Sequence, residues 1–209
     1  MKKRCVIIGA SPETDCIMLS RLLCADDYIV CADGGCRFAE KIGAVPDMIV
    51  GDFDSGEKPK NFGGELLVLP VRKNDTDTMF AAREMMKRGF EEIILCGVSG
   101  ARPDHNFGAY CTLKMLADGG VKASICDGGM TVCVLNCGKH TVSGKNNSGF
   151  GMFPFGCAEC EVSLDGFDYN VDHAFLTAGM TLGSSNRIFS EQATVEVHRG
   201  TAIIFIYSE

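Results

Sequence analysis

Short apolar runs alternate with stretches of helical period over roughly the first 125 residues, the rhythm of βαβ units. The runs predict strands at residues 4–9, 28–32, 48–51, 66–69, 92–96 and 122–126. Residues 77–88 read as a helix, because Met79, Ala82 and Met86 recur at helical spacing while Arg83, Glu84 and Lys87 lie off that stripe. Gly89 then supplies a C-terminal stop. A second helix is expected over residues 106–118, burying Phe107, Tyr110, Leu113 and Leu116 and ending at Gly119-Gly120.

After Gly128 the period shortens. Pieces of β character follow one another at residues 131–135, 138–142, 149–154, 161–164, 193–198 and 202–207, separated by Gly, Asn, Ser and Pro. The pattern predicts an α/β fold with an N-terminal Rossmann-like parallel-sheet domain over 1–128. A small C-terminal all-β domain, a sandwich or a barrel, is expected over 129–209. With no low-complexity linker in the sequence, the two are expected to dock closely.

Composition narrows the class. With 46% hydrophobic and 22% charged residues among 209, the chain has material for a sizeable core. A formal charge of −7 disfavours broad electrostatic binding to nucleic acid or an anionic membrane. No run approaches a membrane span. The basic start Met1-Lys2-Lys3-Arg4 precedes an apolar stretch too short for a signal peptide, interrupted soon after by Glu13 and Asp15. Several of the twelve cysteines, Cys5, Cys31, Cys96 and Cys126 among them, sit inside apolar runs as free thiols would, which predicts a reducing, cytoplasmic setting. Cys133, Cys137, Cys157 and Cys160 approximate a four-thiolate zinc spacing, but Cys133 lies in a strand-like run, and free cysteines are expected.

The chemistry concentrates in acids. Asp33-Gly34-Gly35 and Gly51-Asp52-Phe53-Asp54-Ser55 each follow an apolar strand, and Asp75-Thr76-Asp77 opens a helix. Carboxylates at the C-terminal ends of parallel strands gather on the edge where α/β proteins bind ligands. A divalent cation relieves their mutual repulsion, and Mg²⁺ usually arrives with a polyphosphate. On an extended chain Asp52 and Asp54 point the same way with Phe53 packed behind. The plain alternative is a solvated turn carrying two acids by chance. Asp75 could equally be a helix cap, and Asp77, in the first turn, could face either solvent or the shared site. The segment from Gly97 to Asn106 joins a strand to a helix, a place where backbone N–H groups can meet phosphate oxygens, and Arg102 adds a fixed charge. Asp104 and His105 there are either capping residues or candidate bases. No P-loop and no nucleophilic serine elbow is present in the sequence.

Four motifs in order, Ala32-Asp33-Gly34-Gly35, Gly51-Asp52-Phe53-Asp54-Ser55, Lys73-x-x-Thr76-Asp77 and Gly100-x-Arg102-x-Asp104-His105, resemble the thiamine pyrophosphokinase family. Gly138-Lys139-His140, Gly166-Phe167-Asp168-Tyr169 and Gly183-Ser184-Ser185-Asn186 extend the resemblance to nearly the whole chain. It implies a homodimer that transfers the terminal pyrophosphate of ATP to the hydroxyl of thiamine, giving thiamine diphosphate and AMP. By the same resemblance Asp52, Asp54 and Asp77 hold Mg²⁺. Asp33, Gly34, Gly35, Ser55, Lys73 and His105 line the ATP side, and Arg102 and Asp104 the transferring phosphates. Tyr169, Ser185 and Asn186 contact thiamine at the dimer interface. Two departures stand out: Lys73-Asn74-Asp75-Thr76-Asp77 where many bacterial relatives have Lys-Asp-x-Thr-Asp, and Tyr169 where some have tryptophan. The alternative enzyme reading is a Mg²⁺-dependent nucleotide phosphohydrolase. The non-enzymatic one is a thiamine- or nucleotide-sensing module.

Overall fold

The computed structural model describes residues 3–53, 62–142 and 147–208 and divides into two compact units, Met1–Gly128 and Gly129–Glu209. The first unit carries strands β1 (Arg4–Ile8), β2 (Tyr28–Ala32), β3 (Met48–Gly51), β4 (Glu65–Val68), β5 (Glu92–Cys96) and β6 (Lys122–Asp127). Its helices are α1 (Cys16–Leu22), α2 (Cys36–Lys41), α3 (Asp77–Lys87) and α4 (Pro103–Asp118). All six strands are parallel, in the order β4-β3-β2-β1-β5-β6. The inner strands are nearly continuous Val, Ile, Leu and Cys, as strands covered on both faces require. Edge strand β4 leaves Leu66 and Val68 exposed.

At the N-terminal ends of the strands, charge serves as a staple. Arg4 reaches Asp27 through Nε and a terminal nitrogen, both at 2.7 Å, and donates to the Leu22 carbonyl. The buried Asp27 also accepts the Cys24 N–H, and Asp47 accepts the Ile29 N–H. Pairing with Asp27 raises the Arg4 pKa against the opposing cost of burial.

Both long helices bury only part of the expected stripe, Ala82 in α3 and Leu113 and Leu116 in α4. In α3 the buried residues are Ala81, Ala82 and Met85, while Met79 and Met86 are half-buried. In α4 they are Ala109, Thr112, Leu113 and Leu116, and Phe107 is 59% exposed. Helix α4 starts three residues earlier than the apolar period implied, because Pro103 occupies its first turn. There proline's missing N–H costs nothing and its fixed φ suits a helix.

The second unit holds β7 (Met130–Leu135), β8 (Gly138–Val142), β9 (Gly149–Pro154), β10 (Glu159–Asp165), β11 (Val171–Thr177), β12 (Asn186–Arg187), β13 (Ala193–Arg199) and β14 (Ala202–Tyr207). Among its described residues there is no helix. One antiparallel set runs β12-β9-β14-β7 and the other β11-β10-β13-β8. Phe150, Met152 and Ile204 of the first set share a core with Val162, Val195 and Val197 of the second, the packing of a β-sandwich. Strand β11 had no apolar alternation to announce it. Val171-Asp172-His173-Ala174-Phe175-Leu176-Thr177 buries Leu176 and exposes Asp172, His173 and Phe175.

Candidate functional site

The strand order of the first unit reverses beside β1: β2 lies on one side and β5, reached only after β4 and α3, on the other. Loops leaving the C-terminal ends of such a pair run apart and open a crevice. A cavity of about 330 Å³ lies there, lined by Ser11, Asp33, Asp77, Gly100, Arg102 and His105 among others.

Asp33 opens a 3-10 turn, Asp33–Gly35, directly after β2. A Cβ on Gly35 would come 2.1 Å from the Ile8 carbonyl oxygen, so only glycine lets this turn rest on the end of β1. Asp33 itself is exposed and has φ +53°, left-handed backbone that Asp tolerates better than most side chains. Phe53 also has a positive φ, +56°, so the chain turns there instead of running extended from Asp52 onward. Its ring does pack against the core, as expected. Asp54 and Ser55 lie outside the described residues.

Asp52, Lys73 and Asp77 form one cluster. The Lys73 ammonium sits 2.7 Å from Asp52 Oδ2 and 3.0 Å from Asp77 Oδ1, with all three side chains about 85% removed from solvent. The Asp77 Oδ1 contact is an ion pair without hydrogen-bond geometry, and that atom is fully buried. Burial pushes the Asp77 pKa up, Lys73 pulls it down, and the charges of Asp52 and Asp33 push it up again. Burial works against the Lys73 charge, but its hydrogen bond to Asp52 and its ion pair with Asp77 prevail and raise its pKa. Three sequence-distant carboxylates therefore feel one another, with an ammonium between two of them. The cap of α3 is Thr76, whose Oγ1 accepts the Met79 N–H, while Asp75 pairs with Arg83 at 3.3 Å. Among the described residues no group of three or more His, Cys, Asp or Glu side chains is arranged as a metal site.

The loop after β5 is not the open N–H cradle its glycines promised. The N–H groups of Gly97, Val98 and Ser99 all donate to the carboxylate of Asp127 at the end of β6, at 2.5, 3.0 and 2.9 Å. Gly100 donates to Asn106 Oδ1, whose amide nitrogen donates back to the Gly100 carbonyl. Arg102, just before α4, and Asp104, in its first turn, pair with each other at 2.6 and 3.2 Å on the surface. The hydrogen bond from Arg102 lowers the Asp104 pKa, which makes this carboxylate a weaker base. His105 lines the cavity. Asp127 was missed by sequence reasoning. Its signal was Cys126-Asp127-Gly128-Gly129, a strand ending in Asp-Gly-Gly as β2 does.

In the second unit a cavity of about 470 Å³ has an apolar floor that includes Phe150, Val162 and Leu176 and a rim that includes Tyr169, Ser184 and Ser185. Gly183 permits it: a Cβ there would collide with the Met152 carbonyl oxygen. Ser185 has φ +61°. Asn186 is buried and spends its amide on the backbone: Oδ1 accepts the Tyr169 and Arg187 N–H groups, and Nδ2 donates to the Tyr169 carbonyl. It holds Tyr169 at the rim, where the ring is 71% exposed.

A model of the thiamin pyrophosphokinase catalytic domain matches residues 19–125, and one of that family's vitamin B1 binding domain matches residues 139–202. The thiamine pyrophosphokinase of Bacillus subtilis (strain 168) is 25% identical over 168 residues, covering 78% of each chain. A crystal structure of the Bacillus subtilis enzyme superposes with a TM-score of 0.89 at 20% identity over 99% of this chain and 100% of that one. Thiamin pyrophosphokinase from Candida albicans gives 0.81 at 18% identity over 100% and 90%. These solved structures fix the fold. Because the catalytic-domain model covers more than half of the sequence and the second model most of the remainder, the chain belongs to the thiamin pyrophosphokinase family.

Proposed function

We propose that the first-unit cavity takes ATP, that the second-unit cavity takes thiamine, and that Asp52, Asp54 and Asp77 would hold Mg²⁺. The enzyme is a thiamine diphosphokinase. The thiamine hydroxyl oxygen forms a bond to the β-phosphorus of ATP. The bridging bond between the α- and β-phosphates breaks with its electron pair, the bridging oxygen leaves with AMP, and the hydroxyl proton is released. Reactions of this kind are accelerated mainly by positioning and charge neutralisation. A divalent cation, when bound, supplies positive charge to the polyphosphate oxygens.

The observation that carries the reading is the Lys73 ammonium between the partly buried Asp52 and Asp77. Hard carboxylate oxygens in partial burial suit a hard divalent cation, and the site already gathers positive charge. Arg102 lines the cavity and Lys73 pairs with the cavity-lining Asp77, so both offer positive charge to phosphate oxygens. For thiamine, the apolar floor suits the ring system, and Tyr169 offers a face for stacking or cation–π contact with a cationic ring. Exposed Tyr169 and Leu182 on that cavity support a homodimer that covers it with a second copy. Free thiols throughout support a cytoplasmic setting.

The test is one assay. Purified protein with ATP, Mg²⁺ and thiamine is expected to release AMP and thiamine diphosphate in equal amounts. AMP production that persists without thiamine would turn the reading to the phosphohydrolase. Size-exclusion chromatography with light scattering is expected to give twice the chain mass, and a strictly monomeric active enzyme would remove the homodimer.

A further inference from the structure

We infer that Asp127 is a positioning residue for the nucleotide: it acts through the 97–100 loop and makes no contact with substrate itself. The inference rests on the reading that the first-unit cavity takes ATP. Asp127 is 8% exposed and spends its carboxylate on three successive backbone N–H groups. A buried acid without a cation partner is costly unless hydrogen bonds offset the burial, and here they come from one segment only. Burial raises its pKa, against the backbone donors that lower it.

The loop is fastened on its other side too. Ser11 donates its N–H to the Gly97 carbonyl and its hydroxyl to the Ser99 carbonyl at 2.6 Å. Asn106 then locks Gly100 in both directions. Gly97, Val98 and Gly100 form a wall of the cavity, and the chain passes from them straight to Arg102 and His105. A loop with two glycines in four residues would otherwise sample many conformations, and ordering it at each binding event would weaken affinity. Asp127 meets that ordering cost during folding. It also explains why these loop N–H groups do not face the ligand: those of Gly97, Val98 and Ser99 point down to Asp127 while that of Gly100 goes to Asn106, and recognition passes to the side chains that the loop sets in place.

Replacing Asp127 with Asn keeps the shape but turns one oxygen into a donor that faces other donors. The Asp127→Asn variant is expected to raise the KM for ATP, and the dissociation constant for α,β-methylene ATP, about tenfold, the size of one misplaced polar contact. The KM for thiamine is expected to stay within about twofold of wild type. Equal losses in both KM values, or a folded variant with unchanged ATP affinity, would overturn the inference. If Asp127→Asn does not fold, Asp127→Glu, which keeps the charge and moves it by one methylene, is read by the same two constants. Arg102→Ala separates the levels. Weakened analogue binding there with normal binding in Asp127→Asn refutes the positioning role alone. Unchanged binding in both refutes the cavity as the nucleotide site and the inference with it.

Discussion

Opposite ends of the same parallel sheet carry acids that behave in opposite ways. At the N-terminal end Asp27 has a guanidinium held at two points and a backbone donor besides, so its charge is matched and closed off. At the C-terminal end Asp52 and Asp77 share one ammonium, and Asp33 adds a third negative charge within electrostatic reach. The first arrangement stabilises the fold and has nothing left to offer. The second holds more negative charge than Lys73 neutralises, which is why it suits a cationic ligand. The lesson is that acidity alone marks neither kind of place. The local balance of charge does.

The contrast can be broken most sharply by Asp52→Asn. Loss of one carboxylate at the ligand edge is expected to lower turnover about 10³-fold, a few kcal/mol of transition-state stabilisation, with the unfolding midpoint in urea little changed. Substantial activity in that variant would remove Asp52 from the reaction. Asp27→Ala should do the reverse. Leaving Arg4 half-buried without its partner is expected to cost about 3 kcal/mol in equilibrium unfolding, while the KM for both substrates holds. A KM shift as large as the stability loss would mean that the two ends are not independent.

Acidity offers a finer test. Burial holds the Asp127 pKa above its ordinary value, so the folded state keeps a proton that the unfolded state has already lost. Its contribution to stability is complete below the unfolded value near pH 4 and is lost as pH rises through the folded value, at no more than about 1.4 kcal/mol per pH unit. Asp127→Asn should flatten that part of the profile, read as urea midpoints between about pH 4 and pH 8, and an unchanged slope would refute it. The smallest effect is expected from Thr76→Ala. Removing the cap of α3 should cost about 1 kcal/mol of stability, with a modest fall in activity because Asp77 is the helix's first residue. A stability loss without any change in turnover would show that Asp77 keeps its place without the cap.

Much of this was legible in the chain, and the gaps have physical causes. Strands β2, β3 and β5 follow from unbroken apolar runs, since a doubly covered strand has no polar face to confuse the reading. The buried stripe of α3 was misread because alanine and methionine occupy neighbouring positions, and period alone does not say which of two adjacent stripes meets the sheet. Strand β11 was unreadable for a different reason: it sits at the margin of its sheet, where polar residues serve as well as apolar ones. Asp33 and Asp52 were visible because acids directly after strands are conspicuous, and Asp77 because it opens a helix. Asp127 ends a strand as well, but its role depends on a loop thirty residues away, and no local pattern encodes that. Asn186, expected from the resemblance to contact thiamine, lines the second cavity, yet its amide grips the Tyr169 backbone, a pairing visible only once β12 is in place.

Backbone angles at Asp33 and Ser185 determine how any mutational survey of this enzyme can be read. Both residues occupy left-handed conformations, so alanine at either position removes a side chain and imposes a strained backbone together. A loss of activity in a routine alanine scan would therefore merge two unrelated penalties into one number. Asparagine at position 33 separates them, because it accepts the same backbone and changes only the charge. Glycine at 185 does the converse, relaxing the backbone while deleting the hydroxyl. For these two positions the informative substitution is chosen by conformation first and by chemistry second.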